Sequence, residues 1–255
     1  MEPDRYRIVD LSLPIKNGGG FRKPARITYL DHRTRANLLG EQQGIDVELI
    51  GGKDTATEEF SFLNCHIGTH LDAPWHPVDV SDGKRAITID EVPLEWCFGN
   101  GVWLDLSWKQ PAEEIYARDV QQALDRIGYR LKPMDIVLVK TGASAYYGQP
   151  GCQSKHAGMT REATLWLSDQ GIKVVGIDAS AWDRPLEVQI GDLKKGLGEQ
   201  YSQAHRAAGE RGMCILEWIT NLDLLPHFGF TVYAFPVKVE RGSGGWVRAV
   251  AFVKE

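Results

Sequence analysis

The chain has 255 residues, 43% of them hydrophobic and 25% charged, with a formal net charge of -5. That length can bury a full core in one large domain or two small ones. The acidic balance argues against nucleic acid or an anionic membrane as the main partner, and no apolar run approaches the ~18 residues that a spanning helix needs.

The opening MEPDRYRIVDLSLPI lacks the charged-then-apolar layout of a secretory leader. Cys65, Cys97, Cys152 and Cys214 are widely spaced, without a C-x-x-C pair, and fit reduced thiols in or near a core. A cytoplasmic globular protein is expected. A first strand is predicted from Tyr6 to Leu13, ending before Pro14. From Pro14 to about Thr57 the sequence is weakly periodic and rich in Gly, Arg and Asn, as in a lid or a dimer arm without clear elements. EEFSFLNCHIG then resumes a strand pattern that runs into a histidine-rich stretch.

Beyond it, GVWLDLS (Gly101 to Ser107) and DIVLVKTG have the continuous apolar character of buried strands. Between them, PAEEIYARDVQQALDRIGY is expected to be helical, in one piece or in two joined near Asp119. Ile115, Val120, Ala123, Leu124 and Ile127 form its apolar stripe. Thr160 to Gln170 has an N-cap threonine, Glu162 in its first turn and Gly171 as a stop, which predicts a helix. KVVGIDA follows as a strand, then a helix near Glu199 to Glu210 and the strand MCILEWI. FTVYAFPVKVE and GWVRAVAFVKE are expected to pair as two long strands around RGSGG. Alternating β and α without a repeat or linker predicts one α/β domain over residues 1–255.

The chemistry concentrates in NCHIGTHLDAPWHP, Asn64 to Pro77, which holds three of the seven histidines. His66, Gly68, His70, Asp72, Pro74 and His76 all fall on even positions, so an extended chain would point them to one face. Strand rises ~3.3 Å per residue, so Cα atoms four apart lie ~13 Å from each other. Imidazoles sharing one ion must each reach to ~2.0–2.1 Å of it, so the chain has to bend. Gly68 supplies the backbone freedom and Pro74 a second corner. A bent loop gathering N and O ligands around a borderline divalent cation is the expectation. Cys65 has the wrong parity to join that face.

At these residues HIGTHLDAPWH carries every fixed position of H-x-G-T-H-x-D-x-P-x-H. It resembles the cyclase family of metal-dependent hydrolases, which includes bacterial kynurenine formamidases and isatin hydrolases. DLSLPI is similar to that family's first strand, GIDASAWD to its G-x-D-x-x-S-x-D stretch, and AHRAAGERGMCILEWI to its late histidine and glutamate segment. The resemblance implies that His66, His70 and Asp72 bind a first metal. Asp72 would bridge to a second, also held by His205 and Glu217. His76 would be the acid/base histidine. It also implies one or two ions of Zn²⁺ or Mn²⁺ per chain, a mixed β barrel-like core with helices packed outside, and a homodimer or larger homo-oligomer. Ser180 stands one position early, with Ala181 where the family has serine, and the stretch from Pro14 to Thr57 is longer than in small formamidases.

The ligand chemistry agrees. A divalent cation lowers the pKa of bound water to ~7, and such a hydroxide attacks an amide or lactam carbonyl whose oxyanion the metal stabilises. The leaving nitrogen then needs a proton, which a histidine near its ordinary pKa of ~6.5 supplies. The expected substrate is a small non-peptide amide, an arylformamide such as N-formylkynurenine or a cyclic amide such as isatin. A lactone or cyclic-ester hydrolase and a catalytically silent metal- or ligand-binding protein are the alternatives. His156 before a helix faces the pocket or is a solvated loop residue. Trp182 is the candidate aromatic wall of a substrate site, Trp75 a packing residue, and His32 and His227 surface residues. Asp178 orients the site or ends a strand.

Overall fold

Strands that are apolar on both faces occupy the middle of the molecule, and less regular segments wrap around them. The computed structural model describes residues 5–18, 21, 24–62 and 64–255. Its elements begin with β1 (Tyr6–Asp10), β2 (Arg26–Leu30), α1 (His32–Gln43), β3 (Thr57–Phe62) and β4 (His70–Asp72). They continue with β5 (Val80–Ser81), β6 (Lys84–Arg85), β7 (Phe98–Asp105), β8 (Glu114–Ile115), α2 (Ala117–Ile127) and β9 (Ile136–Lys140). Next come β10 (Gly158–Met159), α3 (Arg161–Asp169), β11 (Val174–Ile177), α4 (Leu186–Lys194), α5 (Gln203–Glu210) and β12 (Cys214–Glu217). The last three are β13 (Phe228–Tyr233), β14 (Gly244–Trp246) and β15 (Val250–Lys254).

Nine strands make one curled sheet in the order β1-β15-β13-β7-β9-β11-β12-β4-β14. The central β7, β9, β11 and β12 are parallel, and the flanking pairs are antiparallel. Parallel strands need crossovers that cover their faces, so their residues are apolar throughout. In β9, Val137 and Val139 enter a core shared with α2, α3 and α5, while Ile136 and Leu138 enter the core inside the curl. The curl brings the chain leaving β1 to the chain leaving β12, where Thr220 N–H donates to the Leu11 carbonyl. The result is an α/β domain with a mixed half-barrel core and helices outside, as expected. No helix among the described residues is long and apolar enough to cross a membrane.

Three expectations about elements are corrected. The region from Pro14 to Thr57 is not without elements, because it contains β2, which pairs antiparallel with β3 in the strand expected just beyond it, and the whole of α1. Capping defines α1: Asp31 accepts from Thr34 N–H and Gly44 closes the other end, while only Ala36 and Gly40 are buried. Residues 19, 20, 22 and 23 of this region, and Leu63 of the following strand pattern, lie outside the described residues.

The stretch before Tyr129 becomes helical only at Ala117, since Asp119 accepts from Tyr116 N–H as a cap and Glu114–Ile115 pairs with β10. The terminal hairpin is split. β13 and β15 pair, but Gly244–Trp246 joins β4 at the other edge of the sheet. Pro236 lacks the N–H that a continuing ladder would need.

Candidate metal centre

The histidine loop is extended only in its middle. His70 and Asp72 share one face of β4, and the antiparallel register sets His70 opposite Glu217 of β12. Before β4 the chain turns at Gly68, whose φ of 70° a side-chain-bearing residue rarely adopts. After it, a turn beginning near Pro74 swings His76 back, with His76 N–H donating to the Ala73 carbonyl at 2.9 Å. His205 comes from the first turn of α5. Gly209 lets that helix lie against the loop, because a Cβ there would meet Pro77 and Val78 at 2.7 Å.

These elements bring six predicted residues together. His66 Nδ1 lies 2.7 Å from Asp72 Oδ1, and His70 Nε2 lies 3.3 Å from that same oxygen. His70 Nε2 is 3.6 Å from Glu217 Oε2, and His205 Nε2 is 3.1 Å from Glu217 Oε1 and 3.6 Å from Asp72 Oδ2. His76 Nε2 stands 4.0 Å from Asp72 Oδ2. Two ligands at ~2.0–2.1 Å from a tetrahedral ion are about 3.3 Å apart, close to most of these separations.

The donors fall into two groups that share Asp72: His66 with His76, and His70 with Glu217. His66 and His70 also meet at one Asp72 oxygen, and the His66 and His76 rings lie tilted with centroids 4.1 Å apart.

Two of the imidazoles are wired for ligation. His70 Nδ1 donates to the Gly68 carbonyl at 2.8 Å, which leaves Nε2 with a lone pair. That Nε2 and Asp72 Oδ2 are buried without any hydrogen-bond partner. An orphaned nitrogen and an orphaned carboxylate oxygen in one buried cluster are costly, and a cation satisfies both. His205 Nδ1 donates to Asp183 Oδ2 at 2.6 Å, the carboxylate–histidine arrangement that fixes a ligand's tautomer. The donor set of imidazoles and carboxylates fits Zn²⁺ or Mn²⁺.

Electrostatics make the same demand for positive charge. Burial opposes a charged His66, yet the Asp72 carboxylate outweighs it and holds the pKa up at about 10. His70 and His205 are likewise raised against the effect of burial, the first chiefly by Asp72 and the second by Asp183, Asp72 and Glu217. Burial also opposes the charged form of Asp72, but His76, His66 and His70 together hold its pKa well down. Glu217 is pushed up by burial and by the neighbouring Asp72 charge. Burial brings His76 down to about 4, against the pull of Asp72.

The cluster opens into a cavity of about 510 Å³ whose walls include His66, His76, His205, Glu217, Ser180 and Arg206. His70 and Asp72 lie beneath, 1% exposed each. A cleft of about 600 Å³ elsewhere, between Trp108, Ile127 and Phe228, gathers no group of metal donors among the described residues. Early Ser180 does reach the cavity, donating to the Gln153 carbonyl at 3.2 Å, and Ala181 lies beside it.

Two substrate-contact expectations are corrected. Trp182 is fully buried, with its indole N–H donating to Thr164 at 2.9 Å. The loop after β11 turns Ser180 and Ala181 toward the cavity and Trp182 into the core under α3, so its ring walls nothing. It contributes its backbone N–H, which donates to Glu217 Oε1 at 3.1 Å. His156 is neither solvated nor on the cavity wall. It is buried against the Asp183 carbonyl, and burial pushes its pKa down to about 4.

His227 is half-buried, stacked on Trp103, while His32 is exposed as expected. Trp75, expected to pack, is 38% exposed and lies off the cavity wall. Asp178 fastens the loop after β9 by accepting from Thr141 and Gly142. Sequence reasoning missed Asp183 and Ser243. Asp183 also accepts from the N–H groups of Ala204 and His205, capping α5 from twenty residues away. Ser243 hydrogen-bonds His66 Nε2 at 2.9 Å.

A family model described as putative cyclase matches residues 9–184 of this chain. The protein is a member of that cyclase family. Among curated relatives, it is 28% identical over 189 residues to a kynurenine formamidase of Erythrobacter litoralis, covering 74% of this chain and 73% of that one. A kynurenine formamidase of Bacillus cytotoxicus is 25% identical over 188 residues, covering 74% and 76%.

Among solved structures, an isatin hydrolase bound to the product analogue thioisatinate superposes with a TM-score of 0.77 at 20% identity, covering 98% of this chain and 93% of that one. Isatin hydrolase A from Labrenzia aggregata, bound to benzyl benzoate, gives 0.73 at 24% identity, covering 98% and 94%. These likenesses establish the cyclase-family fold. His205 and Glu217 lie beyond the residues that the family model matches, so their place beside the histidine loop rests on the geometry above.

Proposed function

We propose that this protein is a divalent-metal-dependent hydrolase that cleaves the C–N bond of a small non-peptide amide, an arylformamide or a cyclic amide. The observation that carries the reading is the buried cluster in which His70 Nε2 and Asp72 Oδ2 have no partner, set beneath a cavity on whose wall His76 stands. His66, His70, Asp72, His205 and Glu217 would hold the metal. A cation bound there would polarise the carbonyl and bring water into its ionised range near neutral pH.

The protein's own groups do the rest. Asp183 keeps His205 in one tautomer, and the Gly68 carbonyl does so for His70. His76 is 36% exposed at its side chain and, among the described residues, makes no short bond that would immobilise its ring; kept neutral by burial, it can take up the proton that the attacking water gives up and pass it to the leaving nitrogen. Kynurenine formamidases among the relatives and isatin hydrolases among the structural neighbours support a C–N substrate.

The test is turnover of N-formylkynurenine, isatin, a cyclic imide and a lactone in ¹⁸O-labelled water. Activity on a nitrogen-containing member is expected, with label in the acid product, loss on chelation and recovery with Zn²⁺ or Mn²⁺. Turnover confined to the lactone would overturn the substrate class, and turnover of none would overturn the enzyme reading.

A further inference from the structure

Arg206 is the one Lys or Arg among the described residues that line the site cavity. The other described residues of the wall away from the metal donors are neutral, among them Gln153, Ser180, Gln189, Tyr201 and Ser202. Most arginines in this region are committed. Arg184 bonds Asp192 at 2.8 Å and Gln200 at 3.0 Å, and Arg161 pairs with Glu210. No carboxylate among the described residues lies within ion-pair reach of Arg206, which instead sits over the Tyr201 ring with its guanidinium carbon 5.7 Å from the centroid.

That contact holds the flat guanidinium against another wall residue and leaves its hydrogen-bonding edge open. The Asp72, Glu217 and Asp183 carboxylates are all turned inward, to the histidines. Arg206 follows His205 directly on the first turn of α5, so the same helix presents a metal donor and an unpaired cation to one cavity.

We propose that Arg206 is a specificity residue that receives a carboxylate on the substrate, remote from the bond that is cut. The preferred substrate is therefore an amide bearing a separate acid group, and an uncharged cyclic amide is the poorer one. This rests on the hydrolase reading and narrows it. A guanidinium matches a carboxylate in bidentate geometry, and charge-assisted hydrogen bonds are about twice as strong as neutral ones. The cavity, about 510 Å³, accommodates one aromatic ring with a short acid side chain.

The experiment has two arms, both on the protein as purified with its metal. In the first, kcat/KM is compared for N-formylkynurenine, which carries the acid group, and formanilide, which does not. The preference for the acid is expected to fall roughly ten- to a hundredfold in R206Q, mainly through KM, and to be restored only in part in R206K, which keeps the charge but not the bidentate fork. An unchanged preference in R206Q overturns the proposal while leaving the hydrolase reading intact.

The second arm reads binding without turnover. Calorimetry follows 3-phenylpropionate and 3-phenylpropanamide on wild type and R206Q, so that any metal–carboxylate contact is common to both proteins. Weaker binding of the acid alone in R206Q supports the proposal even if no amide is turned over, the result that would sink the hydrolase reading. Equal binding of the acid by both proteins overturns it.

Discussion

The site has a deep wall and a shallow wall, built differently. His70, Asp72 and Glu217 stand on paired strands, with side chains 1–5% exposed and positions fixed by register. His66 and His76 stand on the turns that flank β4, with side chains 24% and 36% exposed. Backbone pairing orients the first set before any side chain makes a contact. The second set depends on what its own side chains touch: Ser243 and Asp72 for His66, and the stacked His66 ring for His76. His205 is intermediate, on a helix but steered by Asp183. On the proposed function, the difference teaches that strand residues give the metal a rigid base, while His66 from an adjustable turn completes its shell beside His76, which would handle the substrate.

The largest effect is expected from the deep wall. His70→Ala removes the imidazole whose free nitrogen faces two carboxylates, and stoichiometric metal should be lost, as read by elemental analysis. Glu217→Gln, which keeps the shape of the side chain, should point the same way should the alanine variant fold poorly. Undiminished metal in both would break the division at its root. On the shallow wall, His76→Asn should keep the metal but lower kcat by ~10²–10⁴-fold, the usual cost of a lost general acid/base. Loss of metal together with activity would move His76 to the deep set, where its proximity to His66 and Asp72 also allows it to serve.

Asp183→Asn comes next. The carboxylate accepts from His205 Nδ1 and from two N–H groups at the start of α5, and asparagine has one oxygen for those three donors. Metal affinity should fall ~10–100-fold, the range for a lost partner of a ligating histidine, as measured by competition with a chelating dye. A thermal melt of the metal-free protein separates that effect from weakened capping. Unchanged affinity with a lowered melting temperature would make Asp183 a cap alone.

What was legible in the sequence follows the same division. Strands β9, β11 and β12 could be read because both faces are buried and their residues are apolar without interruption. Helix α3 could be read because Thr160 caps it locally. Helix α1 was missed because caps rather than an apolar stripe define it, and the final hairpin because nothing local says that Gly244–Trp246 pairs with β4. In the site, four gathered side chains lie within the window His66 to His76, whereas His205 and Glu217 were reached only through resemblance. Asp183 stood in the quoted GIDASAWD without a role, since its partners lie some twenty residues on. Ser243 reaches His66 across 177 positions, a contact made only by the curl of the sheet.

Ser243→Ala is the finest test of the comparison. Its hydroxyl bonds His66 Nε2 while Nδ1 of that ring faces Asp72, so it opposes rotation of an imidazole that no strand holds. The ring is partly exposed, and water can replace the hydroxyl. The loss should therefore stay within the net worth of one hydrogen bond, about 0.5–1.5 kcal/mol, or up to roughly tenfold in metal affinity. In Asp183→Asn the affected imidazole is only 12% exposed, and the loss should be larger. Metal titrations of the two variants side by side give the order directly. A greater loss in Ser243→Ala would mean that the shallow wall is as tightly determined as the deep one, and that its exposure reflects access for substrate rather than freedom of the ring.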